Sequence, residues 1–235
     1  MGRRDRIAGE RLAGHLQIVN LCFHGIGIPE RELEPGEDRY WVTVERFEEL
    51  MALVAGERSI RLTFDDGNAS DLAVALPVLS RYGLRAQFFV VAGRLGQRGS
   101  LPAEGLRTLV EAGMSIGSHG MQHRSWRSLG AAEREEELVR AAQVIGEASG
   151  RPVNHAACPF GEYDRTLLRA LRRHGYARVY TVDDGPARSD QWLQSRYCVR
   201  STTTPEVLER LARDPLGGMG RAILWRLKGA VKRLR

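Results

Sequence analysis

Cysteine is scarce in this sequence, which contains only Cys22, Cys158 and Cys198. No two of them form a Cys-x-x-Cys pair, so a zinc site built from thiolates is excluded, as is the disulfide framework of a small secreted domain. We expect each of these cysteines to be a small buried apolar residue.

Long apolar segments are also missing. No run reaches the roughly eighteen apolar residues that a membrane-spanning helix needs. The N-terminus carries arginines at positions 3, 4 and 6 but no apolar stretch of the kind that follows them in a secretory signal. The sequence therefore predicts a cytoplasmic protein, either free or at the inner face of the membrane.

The excess of positive charge is confined to the C-terminal end. The formal net charge is +6, from 35 basic and 29 acidic residues. Six of the basic residues lie between Arg221 and Arg235, where no acidic residue occurs, so the rest of the chain is formally neutral. A body without excess basic charge argues against a nucleic-acid partner.

The basic segment has the pattern of an amphipathic helix. Its apolar residues recur at helical spacing and its basic residues fall largely elsewhere, which is typical of a helix lying on an anionic membrane surface. A terminal helix docked on the body is the alternative. We therefore divide the chain into a main domain, residues 1–216, and a glycine linker with a basic amphipathic helix, residues 217–235.

Strand-like and helix-like patterns alternate about seven times along the body. The predicted strands are residues 18–23, 60–64, 86–92, 114–118, 153–158, 177–182 and 197–199. The predicted helices are residues 43–54, 71–82, 102–112, 131–149, 164–174 and 204–211. Such alternation predicts an α/β fold with a parallel sheet, although periodicity alone does not distinguish a barrel from an open sheet.

Two adjacent carboxylates, Asp65 and Asp66, follow the second predicted strand. Sites in parallel α/β folds are built at the carboxyl ends of the strands. Neighbouring carboxylates are costly unless a cation or hydrogen-bond donors compensate them, and one can bind a metal while the other acts as a base. The alternative is a simple Asp-Gly turn or a helix cap.

Two histidines, His119 and His123, follow the strand that ends at Ser118. Imidazoles four residues apart can converge on one ion, and with one carboxylate they form a set that leaves positions open for water and substrate. A histidine pair alone is more often a surface coincidence. Together with paired aspartates at another strand end, it predicts a divalent metal site.

A third polar segment, residues 157–164, again follows a strand. Pro159 cannot continue a ladder of hydrogen bonds, so the backbone must turn there. An exposed amide at Phe160 could then donate to an oxyanion. The alternative is an ordinary turn between a strand and a helix.

The segments TFDDG, H-x-x-x-H and PFGEYD, in this order, resemble the motifs of polysaccharide deacetylases of the NodB-homology type, carbohydrate esterase family four. The resemblance covers roughly residues 18–200 and implies a distorted (β/α)7 barrel in a single domain. It implies Asp65 as the general base and the Phe160 amide as the oxyanion donor. It further implies Asp66, His119 and His123 as ligands of zinc, or of the related cations of nickel, cobalt or iron(II).

Two features depart from the family pattern. Many members begin the third motif with an arginine that orients the base, where this chain has Ala157 and Cys158. Many also end with a Leu-x-His motif that supplies the general acid, but no histidine follows His174. The chain is similar instead to a subgroup in which an N-terminal Tyr-His takes that role. This similarity implies His24 as the acid; the alternative is a satisfied histidine at a strand end.

The substrate implied by the resemblance is an N-acetylated amino sugar in a glycan, glycolipid or glycoconjugate precursor, from which acetate is released. The residues predicted to contact it are Tyr40, Trp41, Pro159 and Tyr163. Tyr40 and Trp41 end a loop beside His24 and could stack on a sugar, or could simply anchor the following helix. The alternative functions are an amidohydrolase acting on a non-sugar or secondary-metabolite amide, and a non-catalytic glycan-binding protein.

Overall fold

The structure, a computed structural model, describes residues 17–127, residues 129–214 and Lys232. Within these ranges, nine strands form one sheet. They are β1 (Gln17–Phe23), β2 (Ile60–Asp66), β3 (Ala86–Val90), β4 (Ser115–Ser118), β5 (His155–Ala157), β6 (Arg178–Tyr180), β7 (Ala187–Arg188), β8 (Leu193–Gln194) and β9 (Arg196–Cys198).

The sheet curls into a nearly closed barrel. Strands β1 to β6 lie side by side in chain order and pair in parallel. β8 pairs in parallel with β6 and β9 pairs in parallel with β1, with only Ser195 between them. Residues 193–198 thus join the two edges of the six-stranded sheet as a broken seventh strand. This arrangement confirms the predicted distorted α/β barrel.

Helices separate the strands. They are α1 (Val44–Val54), α2 (Leu76–Arg81), α3 (Ala103–Glu111), α4 (Ala131–Glu135), α5 (Ala141–Ser149), α6 (Arg165–Arg173) and α7 (Pro205–Arg213). Thr43 caps α1 by accepting a hydrogen bond from the Arg46 amide, and Asp164 caps α6 in the same way.

The two faces of the sheet differ in chemistry. In a strand, successive side chains point to opposite faces. In the main hydrophobic core, Phe64 stacks on both Phe23 and Phe88, and the Phe23 and Phe64 rings also contact Phe47 of α1. Polar residues alternate with these phenylalanines along the strands. Among them are Thr63 and Asp65, whose side chains face the barrel interior. The barrel can therefore hold charged groups away from solvent.

Several predicted elements needed correction. The predicted strand at 60–64 extends through Asp66, so the paired carboxylates end the strand rather than follow it. The predicted helix at 71–82 begins as a π-helical turn, Asp71–Ala75, before α2. A second π-helical turn, Glu136–Arg140, lies between α4 and α5. β7 and β8 were not predicted because two residues are too few to show a period.

The C-terminal segment lies largely outside the described residues. Of the predicted linker and helix at 217–235, the structure describes only Lys232, whose Nζ donates to the Gly161 carbonyl at 3.1 Å and to Asp183 at 2.5 Å. The division at residue 216 and the membrane-surface helix stay predictions. Within the described ranges, no helix has the length and apolar character to cross a membrane.

Candidate active site

The residues predicted from the sequence to act in the chemistry lie together at the carboxyl ends of four parallel strands. His24 follows β1, the aspartates end β2, His119 follows β4 and Phe160 lies just beyond β5. The strands are in register, with Phe23 beside Phe64 and Ser118 beside Ala156. Residues far apart in sequence are thereby brought to one end of the barrel.

Asp66 lies between the two histidines. Its Oδ1 is 3.7 Å from His119 Nε2 and 3.4 Å from His123 Nε2. Oδ1 is buried and has no hydrogen-bond partner among the described residues. A buried carboxylate oxygen without a donor is costly, so this position calls for a cation.

The three side chains fit a divalent metal ion. Their ligand atoms lie within 4.8 Å of one another. Ligands about 2.0–2.1 Å from a tetrahedral zinc ion are separated by roughly 3.3 Å, close to the Oδ1–Nε2 distances found here. Two neutral imidazoles and one carboxylate suit zinc and also the neighbouring first-row cations, so the donor set does not select one metal.

Each histidine presents Nε2 to this position because Nδ1 is used elsewhere. His119 Nδ1 donates to the Ala157 carbonyl at 2.8 Å. His123 Nδ1 lies 3.1 Å from both oxygens of Glu34. Burial lowers the pKa of His119 to about 4, outweighing the opposite effects of Asp65 and Asp66. His119 is thus neutral at physiological pH, the form that binds a metal.

Asp65 is held by an arginine that the sequence analysis missed. Arg196, fully buried in β9, donates from Nη1 to Oδ1 at 2.6 Å and from Nη2 to Oδ2 at 2.7 Å. Burial raises the pKa of Asp65, but the charge of Arg196, and then that of His119 in its protonated form, has the larger, opposite effect. The pKa of Asp65 therefore lies below its usual range. Asp65 is therefore ionised and fixed in orientation.

Backbone strain is concentrated in this region. Among the described residues, Asp66, His123, Phe160 and Asp184 are the non-glycine residues with positive φ, and the first three belong to the candidate site. Their φ angles are 77°, 50° and 57°. Left-handed conformations cost energy for residues with a Cβ and often persist where function requires a particular side-chain direction.

Phe160 presents both an amide and an aromatic ring. No described residue accepts a hydrogen bond from its backbone N–H, which leaves that donor available. Its ring is 55% exposed and its centroid lies 4.7 Å from that of His123. The ring was not predicted as a substrate contact, yet it is an exposed aromatic group beside His123, a candidate metal ligand.

His24 lies close to Asp65, outside the group formed by Asp66, His119 and His123. One of its ring nitrogens is within 4.8 Å of an Asp65 oxygen and of the Cys22 sulfur. The ring stacks on Tyr40 at a centroid distance of 4.8 Å. Nδ1 is buried and has no partner within the part of the chain that the structure describes. This placement allows His24 to exchange a proton with a group bound near Asp65.

A buried carboxylate organises the turn between the two histidines. Glu137, only 1% exposed, accepts hydrogen bonds from the Met121 amide at 2.8 Å, the Gln122 amide at 3.2 Å and Trp126 Nε1 at 3.2 Å. Its three donors compensate its charge. Glu137 therefore fixes the path of the backbone that carries His119 and His123.

The four predicted substrate contacts have different surroundings. Tyr40 is partly exposed and supports His24. Trp41 is 8% exposed and lines a cavity of about 570 Å³ with Ile26, Thr43 and Ser70. Tyr40 and Trp41 thus both lie beside the loop that follows His24.

Pro159 and Tyr163 are corrected to packing roles. Both are buried, and Tyr163 is only 2% exposed, with its hydroxyl donating to Asp183 at 2.7 Å. Side chains this buried cannot stack on a sugar. They shape the turn that carries Phe160 instead.

The residues missed from sequence gave weak signals. Arg196 stands one position before a predicted strand, where a charged residue usually marks a strand end. Glu34 is one of several acids in a polar loop, and Glu137 belongs to an acidic helix start. In each case the ordinary interpretation is a solvated side chain, and only the fold reveals a buried partner.

Comparison with known proteins gives matches in sequence and in structure. The family model for polysaccharide deacetylase matches residues 53–179. YxkH of Bacillus subtilis (strain 168), whose name assigns it to the polysaccharide deacetylases, is 27% identical over 194 residues, covering 77% of this chain and 70% of YxkH. A chitooligosaccharide deacetylase of Bradyrhizobium sp. (strain ANU 289) is 30% identical over 129 residues, which cover 54% of this chain and 57% of the length of that deacetylase.

Solved structures share the fold. The deacetylase PplD of Streptococcus pyogenes, in complex with acetate, superimposes with a TM-score of 0.73 at 20% identity, covering 83% of this chain and 97% of PplD. IcaB of Ammonifex degensii gives a TM-score of 0.69 at 22% identity, covering 84% of this chain and 96% of IcaB. At these identities the likeness concerns the fold.

Proposed function

Because the chain belongs to the polysaccharide deacetylase family, and is thus a hydrolase of the amide bonds of acetylated carbohydrates, we propose that it removes the N-acetyl group of an amino sugar by metal-dependent hydrolysis. The observation that carries this proposal is the buried, unpartnered Oδ1 of Asp66 between two imidazole Nε2 atoms. Beside it, Asp65 is a separate carboxylate with a separate cationic partner.

Asp66, His119 and His123 would hold the cation, with zinc as the first expectation and nickel, cobalt or iron(II) as related choices. When bound, such a cation polarises a carbonyl group and lowers the pKa of water. The proposed ligands come from the carboxyl ends of β2 and β4, which β3 separates. Glu137 and the Ala157 carbonyl keep the histidines in place before any metal arrives.

Asp65 is the proposed general base. It is ionised, Arg196 donates to both of its oxygens, and the Cys22 thiol donates to Oδ2 at 3.3 Å. A carboxylate has about four lone-pair sites, so one is left to accept a hydrogen bond from water. It takes a proton from water as the water oxygen adds to the acetyl carbonyl carbon. The arginine that many family members carry in the third motif is missing here, and Arg196 supplies the same kind of contact from β9. This contact favours a catalytic over a non-catalytic protein.

Phe160 and His24 complete the proposed reaction. The Phe160 amide faces the carbonyl oxygen as negative charge develops on it. His24 gives a proton to the nitrogen when the C–N bond breaks, because an unprotonated amine is a very poor leaving group. Water supplies the hydroxyl that ends in acetate, and the other product is the free amine.

The proposed substrate is an N-acetylated amino sugar in a glycan, glycolipid or glycoconjugate precursor. The exposed Phe160 ring next to His123 offers an apolar face on which a sugar could stack. The names of the relatives, which include a chitooligosaccharide deacetylase and a peptidoglycan deacetylase of Helicobacter pylori (strain ATCC 700392 / 26695), support acetylated sugars as the class.

Acetate release tests the proposal. Protein stripped of metal with a chelator and then reloaded with zinc is incubated with N-acetylglucosamine oligomers and, separately, with simple non-sugar acetamides. The proposal expects acetate from the sugars only, and only after reloading. Release from the non-sugar amides alone would favour the alternative amidohydrolase, and release by metal-free protein would contradict metal dependence.

A further inference from the structure

Glu34 and His123 are 89 positions apart in sequence but share a hydrogen bond on the far side of the imidazole from Asp66. Nδ1 of His123 lies 3.1 Å from each Glu34 oxygen, while Nε2 of the same ring faces Asp66. From this arrangement, and resting on the metal site proposed above, we infer that Glu34 is a positioning residue that fixes the tautomer and direction of His123 and so raises the affinity for the cation.

The hydrogen-bond chemistry selects one tautomer. A carboxylate can only accept, so Nδ1 must carry the hydrogen and Nε2 must present its lone pair. Arg94 Nη2 also lies 3.4 Å from Nδ1, but it can only donate and would demand the opposite tautomer. Arg94 also forms an ion pair with Glu34. The Glu34 carboxylate can therefore accept hydrogen bonds from both Arg94 and His123 Nδ1, so Arg94 does not require Nδ1 as an acceptor.

Glu34 is held in place before a metal arrives. Its amide donates to Glu37 at 2.8 Å, and Glu37 forms an ion pair with Arg31. Arg31 in turn donates to Asn68 Oδ1 at 3.0 Å, just beyond the end of β2. The loop is therefore tied to the same strand that carries Asp66, which keeps Glu34 and Asp66 on opposite sides of His123.

Nδ1 of His119 and Nδ1 of His123 form hydrogen bonds with different kinds of acceptor. His119 is only 3% exposed in its side chain and uses a neutral backbone carbonyl, whereas His123 is 10% exposed and uses a carboxylate. An anionic acceptor increases the basicity of an imidazole ligand, and removing such a partner typically lowers metal affinity about 10- to 100-fold. The more exposed ligand thus has the stronger support.

Zinc affinity, measured by competition with a chromophoric chelator, tests this inference without using activity. We expect Glu34→Ala to bind zinc about 10- to 100-fold more weakly than the wild type, and Glu34→Gln to fall between them because its carbonyl oxygen can still accept from Nδ1. Glu32→Ala, an exposed glutamate in the same loop, is the matched control and should bind like the wild type. Far-UV circular dichroism monitors folding, and the near-isosteric Gln variant serves if the Ala variant unfolds.

The outcomes separate the two proposals. Equal zinc affinity in Glu34→Ala, Glu34→Gln and the wild type would overturn the role of Glu34 while leaving the metal site intact. A wild type that takes up no zinc would overturn both. We further expect excess zinc to restore acetate release by Glu34→Ala to near the wild-type rate. Persistent inactivity of the zinc-saturated variant would place Glu34 in the reaction itself and contradict a positioning role.

Discussion

Arg196 and Asp65 are joined by two parallel hydrogen bonds of 2.6 and 2.7 Å, although 131 positions separate them in the sequence. Arg196 is completely buried, and its Nη1 also donates to Thr63 Oγ1 at 3.1 Å. The Asp65 carboxylate is therefore fixed from inside the barrel. This pair explains how a chain without the arginine of the third motif can keep a directed, ionised carboxylate beside the proposed metal site.

Replacing Arg196 by Met should reduce acetate release at least about 100-fold, because Asp65 loses its orientation. It should also lower the free energy of unfolding by about 3–5 kcal/mol, since a buried carboxylate is left without its partner. Steady-state kinetics and urea denaturation measure the two effects. Arg58→Met, at an exposed position, is the control and should change neither.

The double variant Arg196→Met with Asp65→Asn separates structure from catalysis. With neither charge of the Arg196–Asp65 pair left, it should recover much of the lost stability while remaining inactive. If Arg196 served packing alone, the single Arg196→Met variant would be destabilised but would keep its turnover at a temperature where it is folded.

His24→Gln should slow hydrolysis most for substrates whose leaving group must be protonated as it departs. We expect a loss of about 100-fold or more in kcat for an N-acetyl sugar, and a much smaller loss for an activated ester such as 4-nitrophenyl acetate, whose leaving group departs as an anion. Equal losses on both substrates would contradict the role of His24 as general acid.

Phe160→Gly separates the ring of this residue from its amide. The glycine keeps the backbone N–H and tolerates the φ of 57°, so kcat should change little while KM for a sugar oligomer rises as the stacking face is lost. Phe160→Ala should be less stable than Phe160→Gly by about 1–2 kcal/mol because alanine retains the strained backbone. An unchanged KM in both variants would exclude a substrate contact by the ring.

Asp71 should make the metal-free protein less stable as pH rises. Burial, and then the charges of Asp66 and Asp65, raise the pKa of Asp71 well above its ordinary value. The folded state thus binds this proton more tightly than the unfolded chain, and the free energy of unfolding falls as pH rises from about 3.9 toward the folded pKa.

Asp71→Asn removes this proton-linked loss. Urea denaturation of the metal-free proteins should find the variant more stable than the wild type at pH 7, by on the order of 1–3 kcal/mol, with the difference shrinking toward pH 4. A difference that is the same at both pH values would rule out a titrating Asp71 as its cause.

The sequence was informative where chemistry depends on local order. Asp65 and Asp66 after one predicted strand, and His119 and His123 after another, were enough to predict a metal site on a parallel α/β fold, because parallel strands bring their carboxyl ends together. The family resemblance, by contrast, suggested the roles within the aspartate pair. The predicted cytoplasmic location and the membrane-surface helix at 221–235 stay predictions, to be tested by cell fractionation and by vesicle binding of a chain lacking residues 217–235.

Contacts across the barrel were not predictable in this way. Arg196 reaches Asp65 only because residues 193–198 close the barrel between β6 and β1, a pairing with no periodic signal. Glu34 reaches His123 through a loop without regular structure. Tyr163 was assigned to the substrate because aromatic residues often bind sugars, whereas its local turn buries it.

The most direct test of the central claim compares Asp65→Asn with Asp66→Asn, measuring bound zinc and acetate release on the same preparations. The account predicts that Asp65→Asn binds as much zinc as the wild type but releases acetate about 100- to 10,000-fold more slowly, whereas Asp66→Asn loses both the zinc and the activity. Wild-type acetate release by zinc-loaded Asp65→Asn, or full zinc binding by Asp66→Asn, would contradict the division of roles between the two carboxylates.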